Sequence, residues 1–208
     1  GQVTAVERDP LVLAMARANA RARHRHDRID FVRADVIDFM PTAPLLLGRP
    51  DAIFIDPSRR HGDRRVSRRD DAYSPPLAWC LELVRHAPAV GIKAAPALDY
   101  AALPVEAEVE IISLHGECKA AMLWLGDVRT GARRATVLPA GATLTDAGAT
   151  SDAVGDIGAW LYEPDGAVIR AHLVQRLAGA YGLRRLDPEI AYLTGEAEFR
   201  GRVFQVSP

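Results

Sequence analysis

Three short apolar runs, each closed by an acid, constrain the fold of this chain more than any other feature. "QVTAVE" ends at Glu7, "IDFVRAD" at Asp35 and "DAIFID" at Asp56. Apolar runs bounded by turn signals read as strands of a parallel sheet buried on both faces. Between the first two, Asp9-Pro10 opens a helix, with Asp9 as N-cap and Pro10 at the first helical position. Leu11, Met15 and Ala18 form its apolar face, opposite Arg17, Arg21 and Arg25. Strands alternating with helices indicate a doubly wound α/β sheet.

The third run leads into an unusual loop, "DPSRRHGDRRVSRR", with six arginines within eleven residues: Arg59, Arg60, Arg64, Arg65, Arg68 and Arg69. Ser74-Pro75-Pro76 then starts a helix through about Val84, and "AVGIKAAPAL" gives a strand broken at Pro96. Asp99 caps a short helix ending near Pro104. "VEIISLHGECKAAMLWLG" predicts two long strands joined by a tight turn at His115-Gly116-Glu117. The polar, Gly/Arg-rich stretch "DVRTGARR" marks a domain boundary, giving domains 1–130 and 131–208. In the second, small α+β domain, "AWLYE" is a strand. Asp165 caps an amphipathic helix that includes Val168, Leu173 and Leu177 and ends at Gly179 or Gly182. "EIAYLTGE" and "RVFQVS" are further strands.

The 208 residues suffice for one large domain or two small ones, and 49% hydrophobic with 25% charged content is ordinary for a globular protein. Net charge is −1, so nucleic-acid affinity must come from a local patch. Two cysteines, Cys80 and Cys118, make neither a disulfide framework nor a zinc site, and both suit packing better than nucleophilic catalysis. The six histidines lack metal-ligand spacing, so no metal is expected. No apolar run reaches membrane-spanning length and no leader pattern follows Gly1; cytoplasmic location without membrane association is the expectation.

In open α/β sheets, ligands bind beyond the carboxyl ends of the strands. An acid at the Glu7 position can accept both hydroxyls of a ribose, although a capping or surface role is equally open. Asp35 can accept from an adenine amino group while the Val36 amide reads a ring nitrogen; a simple loop acid is the alternative. Three successive strand ends carrying acids favour a cofactor cleft over chance. Arginines beside it would form an electropositive edge for phosphate, or else pair with Asp70, Asp71 and other acids.

With these residues in place, the chain resembles the class I S-adenosylmethionine-dependent methyltransferases, whose Rossmann-like sheet is mostly parallel with an antiparallel final strand. More narrowly, "FIDPSRR", "GIKAAPAL", "SLHGECKAAMLWLG" and "WLYEPDGAVIRAHL" resemble bacterial proteins described as RNA methyltransferases with a C-terminal THUMP-like domain. The resemblance implies S-adenosyl-L-methionine as cofactor and structured RNA as partner. It implies that Glu7, with Arg8 beside it, holds the ribose, that Asp35 and Val36 read adenine, and that Asp56 and Pro57 stand at the reacting methyl. Ser58, Arg59, Arg60, Arg64, Arg65 and Lys93 would meet the substrate. Ser58 replaces the second proline of the "DPP" loops found in enzymes acting on base nitrogens, and no aromatic follows it, so base stacking there is not indicated. The family's first strand and its Gly-rich cofactor loop should precede "QVTAVE", so the chain is expected to be a fragment of a longer protein. A non-catalytic RNA-binding module and a small-molecule methyltransferase are the alternatives.

Overall fold

The computed structural model describes residues 1–61, 64–65, 73–100, 103, 106–199 and 204–207. The chain forms two compact units, Gly1–Pro50 and Asp51–Pro208.

The first unit runs β1 (Val3–Glu7), α1 (Pro10–Ala22), β2 (Ile29–Arg33), α2 (Val36–Phe39) and α3 (Ala43–Leu47). β1 and β2 pair in parallel, from Val3 opposite Ile29 to Glu7 opposite Arg33, with α1 as the crossover. The expected cap is present: Asp9 Oδ1 accepts from the Leu11 and Val12 amides at 2.8 and 3.2 Å. The apolar face of α1 is shifted from expectation. Leu13 and Ala20, seven residues apart and so on one stripe, are buried, whereas Leu11 and Met15 are exposed.

The second unit contains β3 (Ala52–Ile55), β4 (Arg60–His61), β5 (Arg64–Arg65), α4 (Leu77–Glu82), β6 (Ala89–Ala94), β7 (Glu108–Leu114), β8 (Glu117–Gly126), β9 (Arg133–Leu138) and β10 (Ala142–Thr145). These are followed by β11 (Trp160–Pro164), α5 (Gly166–Arg170), α6 (Val174–Tyr181), β12 (Arg184–Arg185), β13 (Leu193–Gly195) and β14 (Phe204–Ser207). Its main sheet has the order β10-β9-β7-β8-β6-β3. β3 and β6 are parallel, as are β7 and β9, while β8 runs opposite to both β6 and β7. Four of the six strands (β3, β6, β7, β9) therefore point one way, and the last strand of the expected hairpin is inserted antiparallel among them. The turn joining β7 to β8 has His115 and Gly116 at φ 53° and 78°, the left-handed pair that matches strand twist in a two-residue hairpin.

Register explains the core. Val90, Ile92 and Ala94 on β6 lie opposite Leu125, Leu123 and Ala121 on β8, which lie beside Val109 and Ile111 on β7. Side chains alternate along a strand, so this set shares one face, and all of it is buried. α5 packs against β7, β8 and β9, and the turn at Leu83–Arg85 against β6. On the opposite face Phe54, Gly91 and Trp124 stand in a row. A Cβ on Gly91 would lie 2.7 Å from the Trp124 ring, so glycine there lets the indole cross the strand. β3 was expected to be buried on both faces, but Phe54 is exposed because its face of the strand is uncovered within this unit.

The stretch expected to divide the chain near residue 130 lies inside this sheet, because β9 and β10 extend it to Thr145. The single helix expected after Asp165 is two. Asp165 Oδ1 caps α5 through the Ala167 amide at 2.8 Å, but His172 adopts φ 57° and the Leu173 amide returns to the Val168 carbonyl at 3.0 Å. That is a Schellman ending with histidine in the place usually held by glycine. α6 ends at Gly182, as expected, at φ 65°. β11 to β14 form a second, antiparallel sheet, ordered β12-β13-β11-β14. The helix expected between Asp99 and Pro104 falls largely outside the described residues. No helix among those described is long and apolar enough to cross a membrane.

Two glycines separate backbone strain from steric clash. Gly116 (φ 78°) faces open space, whereas a Cβ on Gly126 (φ 70°) would lie 2.0 Å from the Pro88 carbonyl oxygen. Gly116→Ala should cost about 1–2 kcal/mol, the usual left-handed penalty, and Gly126→Ala clearly more, read from urea unfolding; equal losses would contradict this packing. Cys80 is fully buried and burial pushes its thiol up to about 12. Because thiolate is the reactive form, iodoacetamide at pH 8 should leave Cys80 unmodified until the chain is unfolded; rapid native labelling at Cys80 would overturn its assignment to the core.

Candidate active site

In the first unit, Glu7 and Asp35 emerge at the carboxyl ends of neighbouring parallel strands. Glu7 Oε1 accepts from the Asp9 amide at 2.8 Å, which turns the carboxylate over the start of α1. Asp35 is the N-cap of α2, with Oδ1 accepting from the Ile37 amide at 3.0 Å. Its other oxygen meets Arg8 Nη1 at 3.2 Å, so the expected trio Glu7, Arg8 and Asp35 is gathered at one strand rim. Val36 is the first helical residue of α2, a position whose amide has no intrahelical acceptor. A carboxylate offers about four lone-pair directions, so the capping and ion-pair bonds leave acceptor capacity on both acids. These residues fit a nucleoside with ribose hydroxyl and amino donors.

In the second unit, Asp56 directly follows β3, and Lys93 lies near the carboxyl end of β6. Ile55 is opposite Ile92, so the next residues meet: Lys93 Nζ donates to Asp56 Oδ2 at 2.7 Å, with both side chains about half exposed. Pro57, the next residue, is buried. The chain then leaves for the arginine loop and returns at a fixed point. Ser58 and Ser74 exchange amide-to-carbonyl hydrogen bonds of 2.9 and 2.8 Å, closing the excursion at its base. Within it, Arg60 opposes Arg65 and His61 opposes Arg64 as a short antiparallel backbone pair. Arg59 is placed between Ser58 and β4 and is half-buried. The side chains of Arg60, Arg64 and Arg65, and the whole of Arg68, Arg69, Asp70 and Asp71, lie outside the described residues.

Sequence reasoning missed Tyr73. This buried residue accepts from the Ala95 amide through its hydroxyl at 2.9 Å, tying the end of the arginine loop to the chain just beyond Lys93. Its signal was slight: one aromatic residue directly before Ser-Pro-Pro. Tyr100 donates to the carbonyl of the same Ala95 at 3.2 Å. Cys118 is half-buried beside α5, where a Cβ on Gly166 would come within 3.2 Å of its sulfur, and burial raises its thiol above the ordinary range. Neither cysteine is set up as a nucleophile. Among the described residues no cluster of His, Cys, Asp or Glu could hold a metal ion.

No family model matches the chain. Two proteins named as uncharacterized S-adenosylmethionine-dependent methyltransferases, from two strains of Mycobacterium tuberculosis, are each 37% identical to it over 193 residues, or 90% of this chain and 51% of theirs. The chain thus spans about half the length of the curated relatives it matches. A solved structure of a methyltransferase candidate from Porphyromonas gingivalis superposes with a TM-score of 0.70 at 22% identity, covering 99% of this chain and 54% of that one. The chain therefore has the α/β fold of that protein, and its sequence relatives carry the name of S-adenosylmethionine-dependent methyltransferases.

Proposed function

We propose that the protein is an S-adenosylmethionine-dependent methyltransferase of class I that modifies structured RNA in the cytoplasm. The observation that carries this reading is the Asp56–Lys93 pair at the ends of neighbouring parallel strands, in a sheet completed by an inserted antiparallel strand. The naming of the Mycobacterium relatives supports the donor.

The bound cofactor supplies an electrophilic methyl on a sulfonium. Glu7 accepts from the ribose hydroxyls, with Arg8 holding the neighbouring Asp35 in place. Asp35 accepts from the adenine amino group, and the Val36 amide donates to a ring nitrogen. In-line transfer asks the protein mainly to position the acceptor and, where needed, to take its proton. Asp56 is suited to both tasks: Lys93 holds Oδ2, and the carboxylate retains an acceptor direction for an N–H or O–H of the substrate. Pro57 stiffens the turn that presents it. Ser58, fixed by its backbone exchange with Ser74, and the arginines from Arg59 to Arg65 meet the RNA, the guanidiniums through phosphate. The second sheet, β11 to β14, with the helices after Asp165, acts as the THUMP-like, RNA-recruiting part.

Wild-type protein should transfer labelled methyl from S-adenosylmethionine to RNA. Asp56→Ala should lower that transfer by about 100-fold or more, while cofactor binding, measured by calorimetry, changes little. Transfer unaffected by Asp56→Ala would remove this residue from the mechanism, and methylation that RNA does not compete with would point to a small-molecule acceptor.

A further inference from the structure

Beyond the end of β6 lies an open cleft of about 310 Å³ whose walls include Asp99, Tyr100, Arg133, Arg170 and His172, of which Asp99, Arg170 and His172 are exposed. Its charge is lopsided. The lining carries two arginines and a histidine with one carboxylate, Asp99; outside it, Arg170 also hydrogen-bonds the Cys118 thiol, with Asp165 nearby. Arg133, the first residue of β9, has a buried Nη1 with no hydrogen-bond partner among the described residues. A buried guanidinium N–H without an acceptor is unfavourable, and an anion in the cleft would satisfy it.

The other two basic groups come from a rigid corner. Arg170 is the last residue of α5, and His172 occupies the left-handed position of the Schellman ending, fixed by the return of the Leu173 amide to Val168. Tyr100 is held by its bond to the Ala95 carbonyl, and burial followed by the nearby Tyr73 pushes its phenol upward, so it remains a hydroxyl. The volume is at the low end for small-molecule sites, enough for a phosphate-bearing group. Two guanidiniums with an imidazole match the several acceptor oxygens of phosphate better than the two of a carboxylate, while the Tyr100 O–H is already donated to the Ala95 carbonyl.

We infer that this cleft is a phosphate-binding site, taking the phosphate of a free mononucleotide or of the RNA acceptor. It begins three residues beyond Lys93 on the same segment. Only the RNA source rests on the function proposed above.

The test uses the whole chain with inorganic phosphate, adenosine 5′-monophosphate, adenosine and a short single-stranded RNA as probes. The variants are Arg133→Gln, Arg170→Gln, the double variant, and the charge-keeping Arg133→Lys and Arg170→Lys. Wild type should bind phosphate and the monophosphate in preference to adenosine. Each Gln variant should bind them at least about tenfold more weakly, and the Lys variants should retain part of the affinity. If RNA supplies the group, the slope of log affinity against log salt should fall by about 0.7 in the double variant, the loss of one phosphate contact to a single strand. Phosphate binding that depends on the arginines while RNA neither binds nor is methylated would uphold the site and sink the RNA reading. RNA methylation with an unchanged salt slope, and no phosphate binding that the arginines influence, would overturn the site and leave the methyltransferase reading intact.

Discussion

Strand β8 is the constraint on which the larger unit depends. It is hydrogen-bonded along both edges, to β6 from Ala89 to Ala94 and to β7 from Glu108 to Leu114. Because it opposes both, β6 and β7 run the same way across it, and β9 can continue in parallel beyond β7. Its alternate side chains serve both faces. Ala121, Leu123 and Leu125 are buried in the core, where each leucine contributes roughly 1.5–3 kcal/mol by burial. Trp124, pointing the other way, crosses Gly91 and donates to Glu110 at 2.8 Å.

This arrangement tolerates two buried acids on β7. Glu108 is fully buried, yet it accepts from the Thr130 and Gly131 amides at 2.6 and 3.3 Å and from Arg134 at 2.5 Å. Glu110 accepts from Trp124 and from the Thr136 hydroxyl at 2.5 Å. Burying a carboxylate is costly unless its lone pairs are filled, so these bonds explain how two acids can sit within a central strand. They also tie the turn after β8, and then β9, to β7. The same sheet brings Asp56 and Lys93 together by register alone, without any long-range loop.

Much of the fold was legible because its signals were local. Val3–Glu7, Ile29–Arg33 and Ala52–Ile55 are short apolar runs with an acid at or just beyond the end, and Asp9 and Asp165 cap helices where expected. His115-Gly116 announced its hairpin. What escaped lacked such signals. β9 and β10 are built from "RRATVL" and "ATLT", next to a stretch so rich in Gly and Arg that it read as a linker. The break after α5 was hidden because histidine, not glycine, takes the left-handed position. At the site, the acids were visible as strand-end residues, but a lysine inside a strand has no signature of its own, and Lys93 entered through resemblance only. That Asp35 shares its carboxylate between the α2 cap and Arg8, and that Tyr73 anchors the chain after Lys93, are consequences of packing that spacing does not encode.

The central proposal is that the strand-end acids of the first unit, Glu7 and Asp35, hold the methyl donor. Photo-crosslinking of radiolabelled S-adenosylmethionine to the protein, followed by peptide mapping, tests it most directly. The expected result is label in peptides containing Glu7 or Asp35, lost when excess S-adenosylhomocysteine is present. Label confined to residues 142–199, or label that excess product analogue does not displace, would contradict it.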